Sequence, residues 1–355
     1  HNNYLISLGK LCGWLAERAT EMGVDIFTGT PAAEPLFDDK GALRGVATGD
    51  FGIGKKGNIK DNFQRGIEIE AKQTVIAEGC RGSVAEQLIK KFNLRKESDP
   101  QIYGIGLKEV WEVDNKNFSP GKVQHTVGWP LPTDVYSGSF IYHMKPNQVH
   151  IGMVVGLDYK NPYINPYEEF QRLKNHPRIR KEIEGGKCVS YGARALNEGG
   201  FFSIPKLVFP GGLIVGCSAG FLNVMKIKGA HNAMKSGIEA GKAIYNTLSM
   251  QTYSGPLTVN EYETNMKKSW VWDELRITRN FKNSFKNLFT GMAYSGVFKV
   301  LGGCEPFDLR KKEADSTKIE PASKFKVPRT TNAANRLSEA RQKIHIRLAR
   351  QPFEV

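Results

Sequence analysis

The stretch Gly211-Gly-Leu-Ile-Val-Gly-Cys-Ser-Ala-Gly-Phe-Leu-Asn-Val-Met-Lys-Ile-Lys-Gly-Ala-His-Asn-Ala-Met-Lys-Ser-Gly237 limits the possible folds more than any other part of the chain. A short apolar strand passes through a glycine turn and an extended loop into a helix, which points to an α/β (α+β mixed) architecture. Gly216 and Gly220 let the backbone approach a ligand, because no Cβ stands in the way. Cys217 and Ser218 lie between them. The helix opens near Gly229 and Ala230, and its free N–H groups would face an electron-rich group. Gly229, Ala233 and Gly237 recur every four residues and give that helix a smooth face. An ordinary glycine-rich βα unit carries the same pattern, so this segment alone leaves the ligand open.

A second segment narrows the choice. Thr74-Val-Ile-Ala-Glu-Gly-Cys-Arg-Gly-Ser83 reads as a strand ending in Glu78-Gly79, followed by a helix. Many FAD proteins place an acidic residue and a glycine there, beside the ribityl and phosphate region. Glu78 could equally be a solvated turn residue. Between the two segments the pattern changes. Residues 102–113, 124–129, 139–144 and 149–156 alternate like strands, and Pro, Gly and Asn turns separate them. That order matches a p-hydroxybenzoate-hydroxylase-like FAD fold, in which an antiparallel substrate domain interrupts the nucleotide-binding domain. On this reading the first Gly segment meets the O2/N1 side of the flavin ring, where a helix N-terminus favours the charge that grows on reduction. The G-x-G-x-x-G fingerprint of the fold's first strand is not found, and it is expected upstream of His1.

The remaining elements follow from periodicity. Residues 4–22 are helical, 24–27 a short strand, 43–48 a strand, and 50–65 a long hairpin tip. Thr74–Ala77 is a buried strand, 83–92 a helix, 166–184 a helix, 188–193 a return strand, 213–215 a strand, and 228–248 and 261–280 helices. Residues 285–303 are apolar with Lys286 and Lys299 among them. A spanning helix needs about 20 largely uncharged residues, so either a helix lying in a membrane interface or a buried core helix fits.

Tyr103-Gly-Ile-Gly-Leu-Lys-Glu-Val-Trp111, His125-Thr-Val-Gly-Trp-Pro130, Tyr191-Gly-Ala-Arg-Ala-Leu-Asn-Glu-Gly-Gly200, Ser203-Ile-Pro-Lys206, Gly216-Cys-Ser218 and Lys226-Ile-Lys-Gly229 resemble the electron-transfer flavoprotein–ubiquinone oxidoreductase family. The resemblance runs from about residue 3 to 326, and Cys217 is that family's residue at the usual Asp position. It implies FAD and a 4Fe–4S cluster as cofactors, with electron-transfer flavoprotein, ubiquinone and a membrane surface as partners. It also implies a place on the matrix face of the mitochondrial inner membrane, or on a bacterial membrane. The family's quinone-contacting glycine pair falls on Ser137 and Gly138. A serine there keeps the backbone contact if its φ is negative; a plain turn into a strand is the alternative. The implied organisation is FAD domain over 1–100, ubiquinone domain over 101–200, flavin-ring segment over 201–250 and a helical region over 251–326. A basic tail occupies 327–355. Tyr142, His143 and Glu198 are candidates for supplying a proton to quinone. Two other readings remain: a geranylgeranyl-reductase-like FAD enzyme, and a non-enzymatic membrane-associated fragment.

Composition bears on partners. The net charge is +14, which suits an anionic partner or membrane. Lys311–Val355 holds 11 Lys and Arg against 5 Asp and Glu; a solvated tail explains this equally well. No zinc spacing or RNA-binding signature is present, so nucleic acid is not expected as a partner. Cys12, Cys80, Cys188, Cys217 and Cys304 are scattered, with no C-x-x-C. They suit a reducing compartment and do not supply the closely spaced thiolates that a cluster needs. The chain is therefore expected to be truncated at both ends.

Overall fold

The computed structural model describes residues 4–114, 116–250 and 255–326; the expected basic tail lies outside the described residues. Helix α1 (Leu8–Glu21) starts at Ser7, whose hydroxyl accepts from the Lys10 amide. No side chain of α1 is buried. The expected strand at 24–27 does not form. Val24 N–H instead donates to the Ala19 carbonyl at 3.0 Å and closes the helix, and no ladder partner lies beside these residues. Pairing begins at β1 (Ala32–Phe37), antiparallel to β2 (Leu43–Thr48). The turn between them is an Asp turn: Asp38 Oδ1 accepts from the amides of Lys40 and Ala42 at 3.0 and 2.8 Å. The hairpin tip is β3 (Phe51–Ile53) with β4 (Ile59–Gln64), and β5 (Glu68–Glu70) returns beside β2. Then come β6 (Thr74–Ile76) and α2 (Ser83–Lys91).

The middle of the chain builds β7 (Tyr103–Glu112), β8 (Val123–Val127), β9 (Ser137–Met144), β10 (Gln148–Gly156), α3 (Pro166–Lys174), α4 (Pro177–Ile183) and β11 (Lys187–Asn197). The strands form one antiparallel sheet in the order β11-β7-β10-β9-β8. Side chains alternate across a sheet, so its two faces can be read from residue parity. The odd positions Ile105, Leu107, Ile141, Val149, Ile151, Met153 and Val155 pack on Phe170 and Leu173 of α3 and on Ile179 and Ile183 of α4. The expected single helix over 166–184 is broken in two, because Pro177 lacks the N–H that would continue it and is placed at the first position of α4.

The chain then returns through β12 (Val208–Phe209), β13 (Gly212–Ile214), α5 (Ala230–Met250), α6 (Asn260–Lys267), α7 (Trp270–Ile277), α8 (Phe281–Ser284) and α9 (Leu288–Leu301). Strand β13 pairs parallel to β6, with Ile214 against Ile76. The antiparallel sheet is thus inserted between two strands that are neighbours in space. Val75 is 42% exposed, contrary to the expected buried strand, since β6 is the edge of its sheet among the described residues. A second core joins Leu43, Ile76, Leu88, Phe209, Leu213, Ile214, Tyr262 and Met266. Tyr262 is fully buried and donates its hydroxyl to the Ile214 carbonyl at 3.0 Å. The expected helix 261–280 divides at Ser269, giving α6 and α7.

Candidate functional site

The parallel pair β6–β13 brings the two glycine segments together. Val215 N–H donates to the Ile76 carbonyl at 3.0 Å. Just beyond, the Ser218 hydroxyl donates to the Gly79 carbonyl at 2.9 Å. Gly79, Gly216 and Gly220 have φ of +86°, +57° and +81°, a backbone that glycine adopts without strain. The Gly216 amide donates to the buried Ser236 hydroxyl of α5 at 2.9 Å, and Asn232 of α5 donates to the Phe221 carbonyl at 2.8 Å. The 216–221 loop is thereby tied to the first turns of α5. A Cβ on Gly216 would stand 3.2 Å from that of Ala233, so glycine is what allows the close approach. Gly229 and Ala230 stand at the start of α5, whose first-turn amides have no partner within the helix.

Of the remaining expected residues, Cys217 is a half-buried thiol, and burial pushes its pKa up, so it is neutral. Glu78 has a local task. Its carboxylate accepts from the amides of Val84 and Ala85 at 3.3 and 2.6 Å and so caps α2. Gly82 makes room for it: a Cβ there would lie 2.3 Å from Glu78 Oε2.

The loop leaving Phe221 is held on its outer side by Glu274 of α7, which accepts from Asn223 Nδ2 at 2.9 Å, Lys226 Nζ at 2.5 Å and His231 Nε2 at 3.0 Å. Burial pushes the Glu274 pKa up, but these three donors outweigh it and hold the carboxyl below its usual value. On its inner side the loop, through Leu222, Val224, Met225 and Ile227, closes a cavity of about 280 Å³ against the antiparallel sheet. Ser137 and Gly138 line this cavity, together with His125, Phe140, Val154, Leu196 and Glu198. Among the described non-glycine residues only Asn93 and Ile227 have positive φ, so Ser137 meets the condition for a backbone contact.

Parity explains why the cavity forms here. The even positions of the sheet include Gly104, Gly106, Gly138 and Gly152, so this face has little side-chain bulk. The Phe140 ring lies across Gly152, where a Cβ would be 2.3 Å from its Cζ. The Glu198 carboxylate lies on Gly104, where a Cβ would be 2.7 Å from Oε1. Gly104, which opens no helix, thus has a role that a search for nucleotide fingerprints passes over. Period-two counting of glycines along β7, β9 and β10 would have found it. Of the three proton-donor candidates only Glu198 lines the cavity. His143 belongs to the odd face. Its Nδ1 accepts from the Ser119 amide at 3.0 Å, and its Nε2 lies 3.2 Å from Glu182. Tyr142 shares the cavity face but sits against the rings of His125 and Phe140, farther along β9.

At the edge of the cavity, Phe285 and Leu288 lead into α9. Phe289, Met292, Val297 and Val300 share one helical face and are 65, 48, 41 and 84% exposed. Tyr294 and Gly291 are buried on the other side, Gly291 against the Phe285 ring. Among the described residues no helix is long and apolar enough to cross a membrane. Nor does any group of three or more His, Cys, Asp or Glu among them have the placement to hold a metal ion.

Residues 103–196, which contain the inserted sheet, match the family model described as ETF-QO, ubiquinone-binding. Over 331 residues the chain is 53% identical to the mitochondrial electron transfer flavoprotein-ubiquinone oxidoreductase of Pongo abelii; the match covers 91% of this chain and 54% of that one. The chain therefore spans about half the length of the curated relatives it matches. Among solved structures, a flavoprotein/dehydrogenase from Cytophaga hutchinsonii superposes with a TM-score of 0.55 at 18% identity, covering 86% of this chain and 66% of that chain. A geranylgeranyl bacteriochlorophyll reductase-like protein from Thermoplasma acidophilum gives 0.53 at 17%, covering 87% and 64%. Those structures share the fold alone: a p-hydroxybenzoate-hydroxylase-like architecture with an antiparallel sheet inserted into an α/β nucleotide-binding unit.

Proposed function

We propose that this chain, a relative of the electron-transfer flavoprotein–ubiquinone oxidoreductases over about half their length, forms a flavin-ring site and a quinone site that share one loop. The observation that carries this reading is the Leu222–Ile227 segment, which leaves the glycine turn and then closes the cavity over Ser137 and Gly138. One piece of backbone therefore touches both places, as electron transfer over a short distance needs.

The flavin-ring half of FAD fits the residues present. Gly79, Gly216, Cys217, Ser218 and Gly220 form an open turn with no side-chain bulk at Gly79. Gly229 and Ala230 present the α5 amides. When bound there, the flavin would carry electrons from reduced electron-transfer flavoprotein to ubiquinone. The chain's own part is to orient the ring, exclude water with Leu222, Val224 and Met225, and admit a planar quinone onto the glycine face of the sheet. Glu78 would act on this site through α2. We route no step through a 4Fe–4S cluster, because the described residues assemble no ligand set for one. The proposed division is FAD domain over 1–100, ubiquinone domain over 101–200, ring segment over 201–250 and helical region over 251–326; the two separate cores support it. Titration of the chain with a decyl-tailed ubiquinone tests the reading: saturable binding is expected. If the quinone does not bind, the cavity has another use.

Quinone of this kind resides in lipid, so the cavity must open towards a bilayer. The exposed face of α9 next to Phe285 and Leu288 suits a membrane interface, and the positive net charge suits anionic headgroups. We place the chain on the matrix face of the mitochondrial inner membrane, as a surface-bound protein; the relatives are named mitochondrial. Each large apolar side chain moved from water into lipid contributes about 1.5–3 kcal/mol. The double variant Phe289→Asp/Val300→Asp is therefore expected to lower partitioning into cardiolipin-containing liposomes by about 100-fold or more. Flotation assays read this directly, and unchanged flotation would remove α9 from the membrane contact.

A further inference from the structure

A buried charge cluster stands at the wall of the quinone cavity. Glu198, at the end of β11, is 3% exposed and lines the cavity. Its Oε2 has no hydrogen-bond partner. Lys282 Nζ of α8 lies 3.5 Å from that oxygen and is itself almost fully buried. The same ammonium lies 4.0 Å from Asp158 Oδ1 and sits over the Tyr136 ring, 3.7 Å from its centroid. Asp158 is held in turn by Lys318 at 3.0 Å and Lys311 at 3.5 Å, and Lys311 by Asp315 at 2.7 Å. A carboxyl group removed from water and only loosely paired is unusual in a core, where such groups are hydrogen-bonded. The sheet makes space for it, since any residue larger than glycine at 104 would displace the carboxylate.

Resting on the quinone reading above, we propose that Glu198 donates a proton to one carbonyl oxygen of a quinone bound in the cavity, and that Lys282 is the residue that positions and compensates it. One O–H bond breaks at Glu198 and one forms on the quinone oxygen. The two electrons come from reduced flavin, or from dithionite in the test below, and the second proton comes from water at the cavity mouth. The carboxylate left behind faces the Lys282 ammonium, and Asp158 with Lys311 and Lys318 fixes that ammonium in place. A proton from solvent then restores the acid.

The protonation state favours this role. Burial pushes the Glu198 pKa up, and the nearby Asp158 and Asp315 push the same way; Lys282 opposes them without cancelling them. Tyr136 is no competing donor, because burial raises its hydroxyl far above neutral pH. The rate should therefore fall as pH rises through the raised Glu198 pKa, since the proton to be donated is then lost.

The test uses the full chain loaded with decyl-tailed ubiquinone and reduced with dithionite under anaerobic conditions. General acids of this kind contribute about 100-fold or more. E198Q is expected to keep its quinone affinity, to reduce bound quinone about 100-fold more slowly, and to lose the pH dependence. E198D should recover part of the rate. The infrared difference between wild type and E198Q, taken on the acid side of the rate profile, should show the carbonyl stretch of a protonated carboxylic acid. A carboxylate signature there, or an E198Q rate and pH profile equal to wild type, would overturn the assignment. If E198Q does not fold, the wild-type pH profile decides, and a rate that stays constant through the Glu198 titration refutes it. A wild-type chain that takes up no quinone instead overturns the proposed function. The two failures are thus separable.

Discussion

Gly211→Ala is expected to destabilise the core around β6 and β13 by about 4 kcal/mol, measured by urea unfolding. Two costs add. Gly211 has φ of +84°, where an L side chain is strained by about 1–2 kcal/mol. Its new Cβ would also lie 1.9 Å from the Leu43 carbonyl oxygen. That oxygen belongs to strand backbone and cannot rotate away, so the overlap must be relieved by moving β2, at about 1–3 kcal/mol. The site has little freedom to yield. Gly211 N–H donates to Leu257, its carbonyl accepts from Thr74, and the neighbouring Pro210 carbonyl accepts from Leu43, each at 3.0 Å. Three elements meet at this turn, directly before β13 and the 216–221 loop. Gly57→Ala is the matched control: its φ is +80°, with nothing within 4 Å of the added Cβ. It should show the strain alone, about 1–2 kcal/mol. If both variants lose the same stability, the Leu43 contact is not rigid. Domain stabilities are about 5–15 kcal/mol, so Gly211→Ala leaves a protein close to its limit.

The order of elements was legible because each part of it is local. Alternation in 102–156 gave the strands, and the helix repeat in 228–248 gave α5. The order of the two glycine motifs indicated an interrupted domain, but the parallel pairing of β6 with β13 came from the structure. What failed was what depends on partners. Val24–Phe27 has strand composition but no strand beside it among the described residues, so its local preference finds no partner there. Helices 166–184 and 261–280 broke at Pro177 and Ser269, where a local stop outweighed a continuing apolar period.

The site divides in the same way. Gly79, Gly216, Gly220 and Ser218 were chosen from two glycine motifs, and the β6–β13 pair brings those motifs together. Glu78 was chosen for its type, but its carboxylate is engaged by α2, a contact six and seven residues on that a motif does not encode. His143 and Glu198 are both acid–base candidates in sequence, and the structure buries both. Only the parity of the sheet separates them, placing His143 beside Ser119 and Glu182 of α4 and Glu198 beside the cavity. Lys282 could not have been found at all. It reaches Glu198 across 84 residues of chain, and its sequence neighbours give no hint of a buried ammonium.

Parity also decides the variant with the largest expected effect on binding. Gly138 pairs with Val127 of β8 and Val154 of β10, so all three share the cavity face. Gly138→Leu would add its side chain to the face whose low bulk makes the cavity. Its Cβ would begin 2.9 Å from the Thr126 carbonyl oxygen. Thr126 belongs to β8, the edge strand, which has solvent on its far side and can shift at modest cost, about 1–3 kcal/mol. The lost space cannot be recovered so easily, because Phe140 is already pressed on Gly152 and the opposite wall is the Leu222–Met225 loop held by Glu274. Affinity for decyl-tailed ubiquinone is therefore expected to fall about 100-fold, equivalent to about 2.7 kcal/mol. Uptake of FAD should be unchanged, since the glycine turn at 216–220 is not touched. Equal quinone affinity in wild type and Gly138→Leu would mean that the quinone binds elsewhere. Loss of FAD along with quinone would mean that the sheet and the cofactor loop are one mechanical unit rather than two walls of one cavity.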